Sequence, residues 1–200
     1  MTTGRILNIP NILTIARIVL IPVFLLVAYW APAIGVAGHS GSFTRHLILT
    51  AIFILAAITD WFDGYLARAL NQTSAFGRFL DPVADKLMVA AALVVLVQWQ
   101  PTIMMAFAGI VIISREITVS ALREWMAELG ARTSVAVSTV GKYKTAFQMI
   151  AISVFLLNWQ PLETFAYILL YTAVILTLWS MFIYLKINDM FFLHDKYTYT

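Results

Sequence analysis

The sequence contains no cysteine, so disulfides and thiolate metal sites are both excluded. Charge is scarce as well. Lys, Arg, Asp and Glu make up 12% of the 200 residues, roughly half the share of an ordinary soluble domain. The few basic residues are scattered between apolar segments with no aromatic stacking platform, which excludes a nucleic-acid-binding face. There is no internal repeat and no low-complexity segment. The N-terminus, MTTGRILNIPN, carries Arg5 but does not read as a signal peptide, because no small-residue cleavage site follows.

Apolar residues fill the space that charge leaves. They reach 62% of the chain, with a mean hydropathy of +0.87, against about 45–50% apolar in soluble domains. A chain this short cannot hide that excess inside itself, so its surface must be apolar too. The composition predicts an all-α, polytopic membrane protein forming a single domain over residues 1–200. Six spans are expected: 12–30, 47–70, 82–99, 102–122, 145–159 and 165–185. Pro22 predicts a kink in the first span. A loop is expected over 31–46, a polar connection over 123–144, and an interfacial tail from Lys186 onward. The histidines His39, His46 and His194 stand apart and read as loop or interface residues. Six spans put both termini on one side, together with the connections after spans two and four. Twelve of the 13 Lys and Arg fall on that side and only Arg45 falls opposite. The positive-inside rule makes the richer side cytoplasmic.

Four of the ten acidic residues crowd into residues 60–85, DWFDGYLARALNQTSAFGRFLDPVAD. Asp60 and Asp63 are three apart and share a helix face; Asp81 and Asp85 are four apart and share another. Only 13 residues, Leu47 to Thr59, precede Asp60 in its span, whereas a crossing takes about 20. The first pair therefore lies on a helix at or inside the membrane boundary. Carboxylates with no His or Cys beside them suit a hard cation, Mg²⁺ or Mn²⁺. Left alone in a low dielectric they would repel one another strongly, and divalent ions remove that penalty. For Gly64, Ala67 and Gly77 the competing reading is close helix packing through small residues.

Written as D-x2-D-G-x2-A-R-x8-G-x3-D-x3-D, this stretch resembles the signature of the CDP-alcohol phosphatidyltransferase family at every fixed position: Asp60, Asp63, Gly64, Ala67, Arg68, Gly77, Asp81 and Asp85. The resemblance implies a bundle of six transmembrane helices around a cytoplasm-facing polar cavity. It implies that Asp60, Asp63, Asp81 and Asp85 hold two divalent cations and that Asp85 is the general base. It also implies that Gly64, Arg68 and Ser74 meet a cytidine nucleotide. NIPNILTIAR, SREITVSALREWMAELG and VAVSTVGKYKT are similar to the bacterial branch that joins CDP-diacylglycerol to sn-glycerol 3-phosphate with release of CMP. Location in the bacterial cytoplasmic (inner) membrane, contact with membrane lipid and homodimerisation follow as expectations from that likeness. Other acceptors, such as inositol phosphate, serine or phosphatidylglycerol, stay open, as does a cation-coupled transporter.

A phosphate-bearing acceptor needs cations of its own. Arg115 lies inside an apolar span, where an unpaired charge costs at least about 2.5–3.5 kcal/mol. Arg123 follows near the same face, and Lys142 and Lys144 open the fifth span on the same side. These four are the candidate acceptor-phosphate residues. The alternatives are an ion pair with Glu116 or another helix for Arg115, and positive-inside topology for the lysines. Asn11, Thr14 and Arg17 share a face of the first span. They approach the nucleotide or seal the cytoplasmic cavity, or else cap and snorkel.

Overall fold

In a computed structural model of the chain, the described residues are 9–30, 39–69, 75–128 and 139–198. They form six α-helices and no strand: α1 (Ile9–Trp30), α2 (His39–Ala69), α3 (Ala75–Trp99), α4 (Ile103–Glu128), α5 (Thr139–Leu157) and α6 (Glu163–Thr198). The protein is thus an all-α, polytopic membrane protein. Windows in α1, α2, α4 and α6 are long and apolar enough to cross a bilayer, and α5 carries a shorter apolar stretch.

Several helices outrun the expected spans. α2 begins at His39, inside the stretch read as a loop. α3 begins at Ala75, so Asp81 lies within the helix. α4 continues to Glu128 and α5 starts at Thr139, which narrows the polar connection to residues 129–138, outside the described set. α6 runs on through the tail to Thr198. Its 36 residues span about 54 Å at 1.5 Å each, well beyond a hydrocarbon core of about 30 Å. Hydropathy marks where a helix is greasy, while backbone hydrogen bonding continues into polar sequence; that difference explains every extension. Pro22 sits inside one continuous helix.

The chain divides into two compact units. The first comprises residues 1–101 and 152–163. In it α1, α2 and α3 each contact the other two. The buried stripe of α3 reads Ala84, Met88, Val89, Ala92, Leu93, Val95 and Leu96, the 3.6-residue period of a packed helix face. Phe24 and Ala28 of α1 and Leu49, Phe53 and Ala56 of α2 are buried as well. The exposed face of α1 is Ile12, Ile15, Val19, Val23 and Leu26, whereas its buried face includes Asn11, Thr14 and Arg17. Apolar outside and polar inside inverts the pattern of a soluble protein, as lipid solvation requires.

The second unit comprises residues 102–151 and 164–200. Thr102 caps α4, its Oγ1 accepting from the Met105 amide at 3.1 Å. The Tyr171 hydroxyl of α6 donates to the Met104 carbonyl of α4 at 3.1 Å. Five polar side chains here are again buried: Arg115, Lys144, Gln148, Thr177 and Ser180.

At the α5–α6 junction Asn158 takes the left-handed conformation, φ 52°, a usual way to end a helix. A 3₁₀ turn over Gln160–Leu162 contains Pro161 and leads into α6. His46 corrects the sequence reading. It is no loop residue but lies on α2, 6% exposed. Its ring Nδ1 pairs with the Leu156 carbonyl at 3.0 Å, one of the orphan carbonyls at the C-terminus of α5. The carbonyl can only accept, so Nδ1 carries the proton. Asn158 lies 3.4 Å from the other ring nitrogen, and Trp99 meets the ring edge-on at 4.9 Å.

Candidate active site

The eight-position signature falls entirely on two helices of the first unit. Asp60, Asp63, Gly64, Ala67 and Arg68 lie on the C-terminal part of α2; Gly77, Asp81 and Asp85 lie on the N-terminal part of α3. These two helices are in contact. The side chains of Asp63, Arg68 and Asp81 are outside the described residues, as is the whole of Ser74. Asp60 and Asp85 are described and both are half-buried. An aspartate pair that is open to water yet carried on packed helices is accessible without being loose.

Asp60 has a partner that the sequence did not name. Arg17 of α1 donates from one terminal guanidinium nitrogen to Asp60 Oδ1 at 2.5 Å. The arginine side chain is 1% exposed and the aspartate 43%. Snorkelling toward water, one of the two readings of Arg17, therefore does not describe it. The guanidinium lies inside the packed helices, and Asn11 and Thr14 of the same face are buried with it. A buried guanidinium needs an anion, and the first aspartate of the signature supplies one.

The donor chemistry of the quartet suits a hard divalent cation. All four groups are carboxylates on neighbouring helices, and the nearer of the two histidines of α2, His46, lies about four turns before Asp60. Among the described residues no three His, Asp or Glu side chains stand close enough to hold an ion. Two members of the quartet fall outside that set.

The candidate acceptor residues lie in the second unit. Arg123 is on α4 and Lys142 on α5, their side chains outside the described residues. Arg115 and Lys144 are described, 8% and 3% exposed. One guanidinium nitrogen of Arg115 meets Glu116 Oε1 at 3.3 Å, and the other donates to Ser180 Oγ at 2.8 Å. The Lys144 ammonium pairs with the same Glu116 oxygen. Ser180 in turn donates to the Thr177 carbonyl at 3.0 Å. The ion pair with Glu116 that the sequence offered as an alternative for Arg115 is present. It includes Lys144, which positive-inside topology alone would leave at the surface. Sequence reasoning named Glu116 only as a possible partner and did not single out Ser180 at all. A serine in an apolar helix is a weak signal until a buried cation is seen against it.

Residues 7–179 match the family described as CDP-alcohol phosphatidyltransferase. The chain belongs to that family. Among its relatives is a CDP-diacylglycerol–glycerol-3-phosphate 3-phosphatidyltransferase of Haemophilus influenzae, 52% identical over 181 residues, covering 90% of this chain and 92% of the relative. A protein of the same name from Pectobacterium atrosepticum is 49% identical over 186 residues, covering 90% and 93%. Another from Yersinia pestis is 48% identical over 187 residues, covering 90% and 94%. Members of this family generally depend on a divalent metal. The match to this phosphatidyltransferase family crosses both compact units, taking in the aspartates of the first and the buried cations of the second.

Proposed function

We propose that this membrane protein transfers the phosphatidyl group of CDP-diacylglycerol to sn-glycerol 3-phosphate, giving phosphatidylglycerophosphate and CMP. The observation that carries the reading is the complete aspartate signature on two contacting helices of one unit. The choice of acceptor rests on near-half identity to the three relatives over nine-tenths of the chain.

In this reading Asp60, Asp63, Asp81 and Asp85 hold the metal, with Arg17 fixing the Asp60 carboxylate from α1. Two divalent cations, Mg²⁺ or Mn²⁺, supply charge neutralisation at the diphosphate and at the departing phosphate when bound. Gly64 lets the cytidine nucleotide come close to α2, and Arg68 and Ser74 contact the nucleotide or its phosphates. Arg115, Arg123, Lys142 and Lys144 take the acceptor phosphate. Asp85 accepts the proton of the acceptor's primary hydroxyl. That oxygen then bonds to the phosphorus carrying the diacylglycerol, and the bond from this phosphorus to the CMP oxygen breaks.

The family match spans both units, which supports a single functional domain over 1–200. The charge asymmetry supports placing the site and both termini on the cytoplasmic side of a bacterial inner membrane, where nucleotide and acceptor are found. The donor reaches the site from the bilayer, and the working form is a homodimer. The test is CMP release by purified protein given CDP-diacylglycerol, a divalent metal and a panel of alcohols. Release should require sn-glycerol 3-phosphate. Release that ignores it and responds to another alcohol ends the assignment.

A further inference from the structure

Glu116 has no role in the scheme above, yet it joins the two described cations assigned to the acceptor phosphate. Its Oε1 takes both the Arg115 guanidinium and the Lys144 ammonium. Both cations are more than nine-tenths buried, while the glutamate side chain is 23% exposed. A carboxylate bridging an arginine and a lysine makes the same charge-assisted contacts that a phosphate would make. Two buried cations with no anion would be strongly destabilising. The Glu116 carboxylate supplies an anion to both.

The same unit holds further polar groups. Gln148 lies one turn beyond Lys144 on α5, and Thr177 one turn before Ser180 on α6. Gln148 Oε1 and Thr177 Oγ1 are buried and lack a hydrogen-bond partner among the described residues. Residue exposures of 3% and 0% put both in an interior where an unmet acceptor costs about 1–3 kcal/mol. Both oxygens are able to accept a hydrogen bond from a ligand hydroxyl.

We propose that Glu116 is the resident counter-ion of the acceptor pocket: its carboxylate stands on Arg115 and Lys144 and is displaced when the acceptor's phosphate dianion takes the two cations. The inference rests on the acceptor reading of Arg115 and Lys144. It makes Glu116 a competitor of the acceptor, not a support for it. Glu116 raises the charge an acceptor must bring, because the incoming anion has to outbid a carboxylate already in place.

The test is Glu116→Gln in the full-length, metal-loaded enzyme, with inorganic phosphate as the binding probe. Without phosphate the variant should melt below the parent. Phosphate should then raise its melting temperature by more than it raises the parent's, since binding restores the missing anion. The KM for sn-glycerol 3-phosphate should fall by roughly tenfold, the scale of one close charge pair, with kcat changed far less. A higher KM, or a phosphate shift no larger than the parent's, overturns the proposal and makes Glu116 a support for the cations. Should Glu116→Gln not fold, Glu116→Asp keeps the charge and shortens its reach. It should shift KM and melting in the same directions by smaller amounts, and opposite signs overturn the proposal. Arg115→Gln separates the two levels. A KM for glycerol 3-phosphate at the parent value in that variant removes the acceptor reading itself, and this inference with it.

Discussion

Among the described residues, the buried cations Arg17, Arg115 and Lys144 each meet a carboxylate on another helix or one residue away, and the cost of removing either partner is unequal. Arg17 is almost fully buried while Asp60 is 43% exposed. Asp60→Asn takes a carboxylate away from an interior cation; Arg17→Gln leaves a carboxylate that water can solvate. Thermal unfolding in detergent should therefore show the larger loss for Asp60→Asn, on the order of the 3–5 kcal/mol seen when a buried pair is broken from one side. Arg17→Gln should lose less, and the reverse order would mean that the pair does not govern stability. At Asp85 the loss should be catalytic. Asp85→Asn should cut CMP release by about 10²–10⁴-fold, the usual worth of a general base, while the melting curve moves little. A variant that keeps its activity would take Asp85 out of the chemistry.

At the scale of the element, α2 does two jobs at its two ends. Its C-terminal part carries the first aspartates, and its N-terminal part ties down α5 through His46. The Leu156 carbonyl belongs to the last turn of α5, where no backbone amide follows to meet it. Replacing His46 with Leu removes the donor and should cost about 1–3 kcal/mol, read as a lower melting temperature. CMP release at a permissive temperature should persist, because His46 is about four turns of α2 away from Asp60. Loss of activity in a folded His46→Leu protein would show that this end of the helix reaches the chemistry. Asn158 adds to the junction by accepting the left-handed turn that lets α5 stop and α6 begin.

For the whole molecule, orientation and metal dependence can be tested directly. The chain has no native cysteine, so single introduced cysteines report topology without background. Cysteine in place of Gln160, exposed at the α5–α6 junction, should react with an impermeant maleimide added to intact cells. Cysteine in place of Glu124, exposed near the end of α4, should react only after the membrane is opened. The opposite result would put the aspartates on the outer face and defeat the proposed access to nucleotide. Chelation with EDTA should abolish CMP release, and Mg²⁺ or Mn²⁺ should restore it. Full activity after exhaustive chelation would remove the metal from the reading.

Much of this was legible in the sequence because it is local. Apolar runs of bilayer length mark helices, and the 3.6-residue period puts Asp60 with Asp63 on α2 and Asp81 with Asp85 on α3. These depend on spacing along the chain, and spacing is what a sequence records. The helix ends were misjudged where polar residues continue a helix past its greasy part, as at His39 and Thr198, since hydropathy and helicity are different properties. What only the tertiary structure decided is which groups meet: Arg17 with Asp60 across 43 residues, Glu116 with Lys144 across 28, His46 with Leu156 across 110. Such pairings depend on the rotation and depth at which one helix packs on another. A buried charge must find its counter-ion wherever that packing puts one.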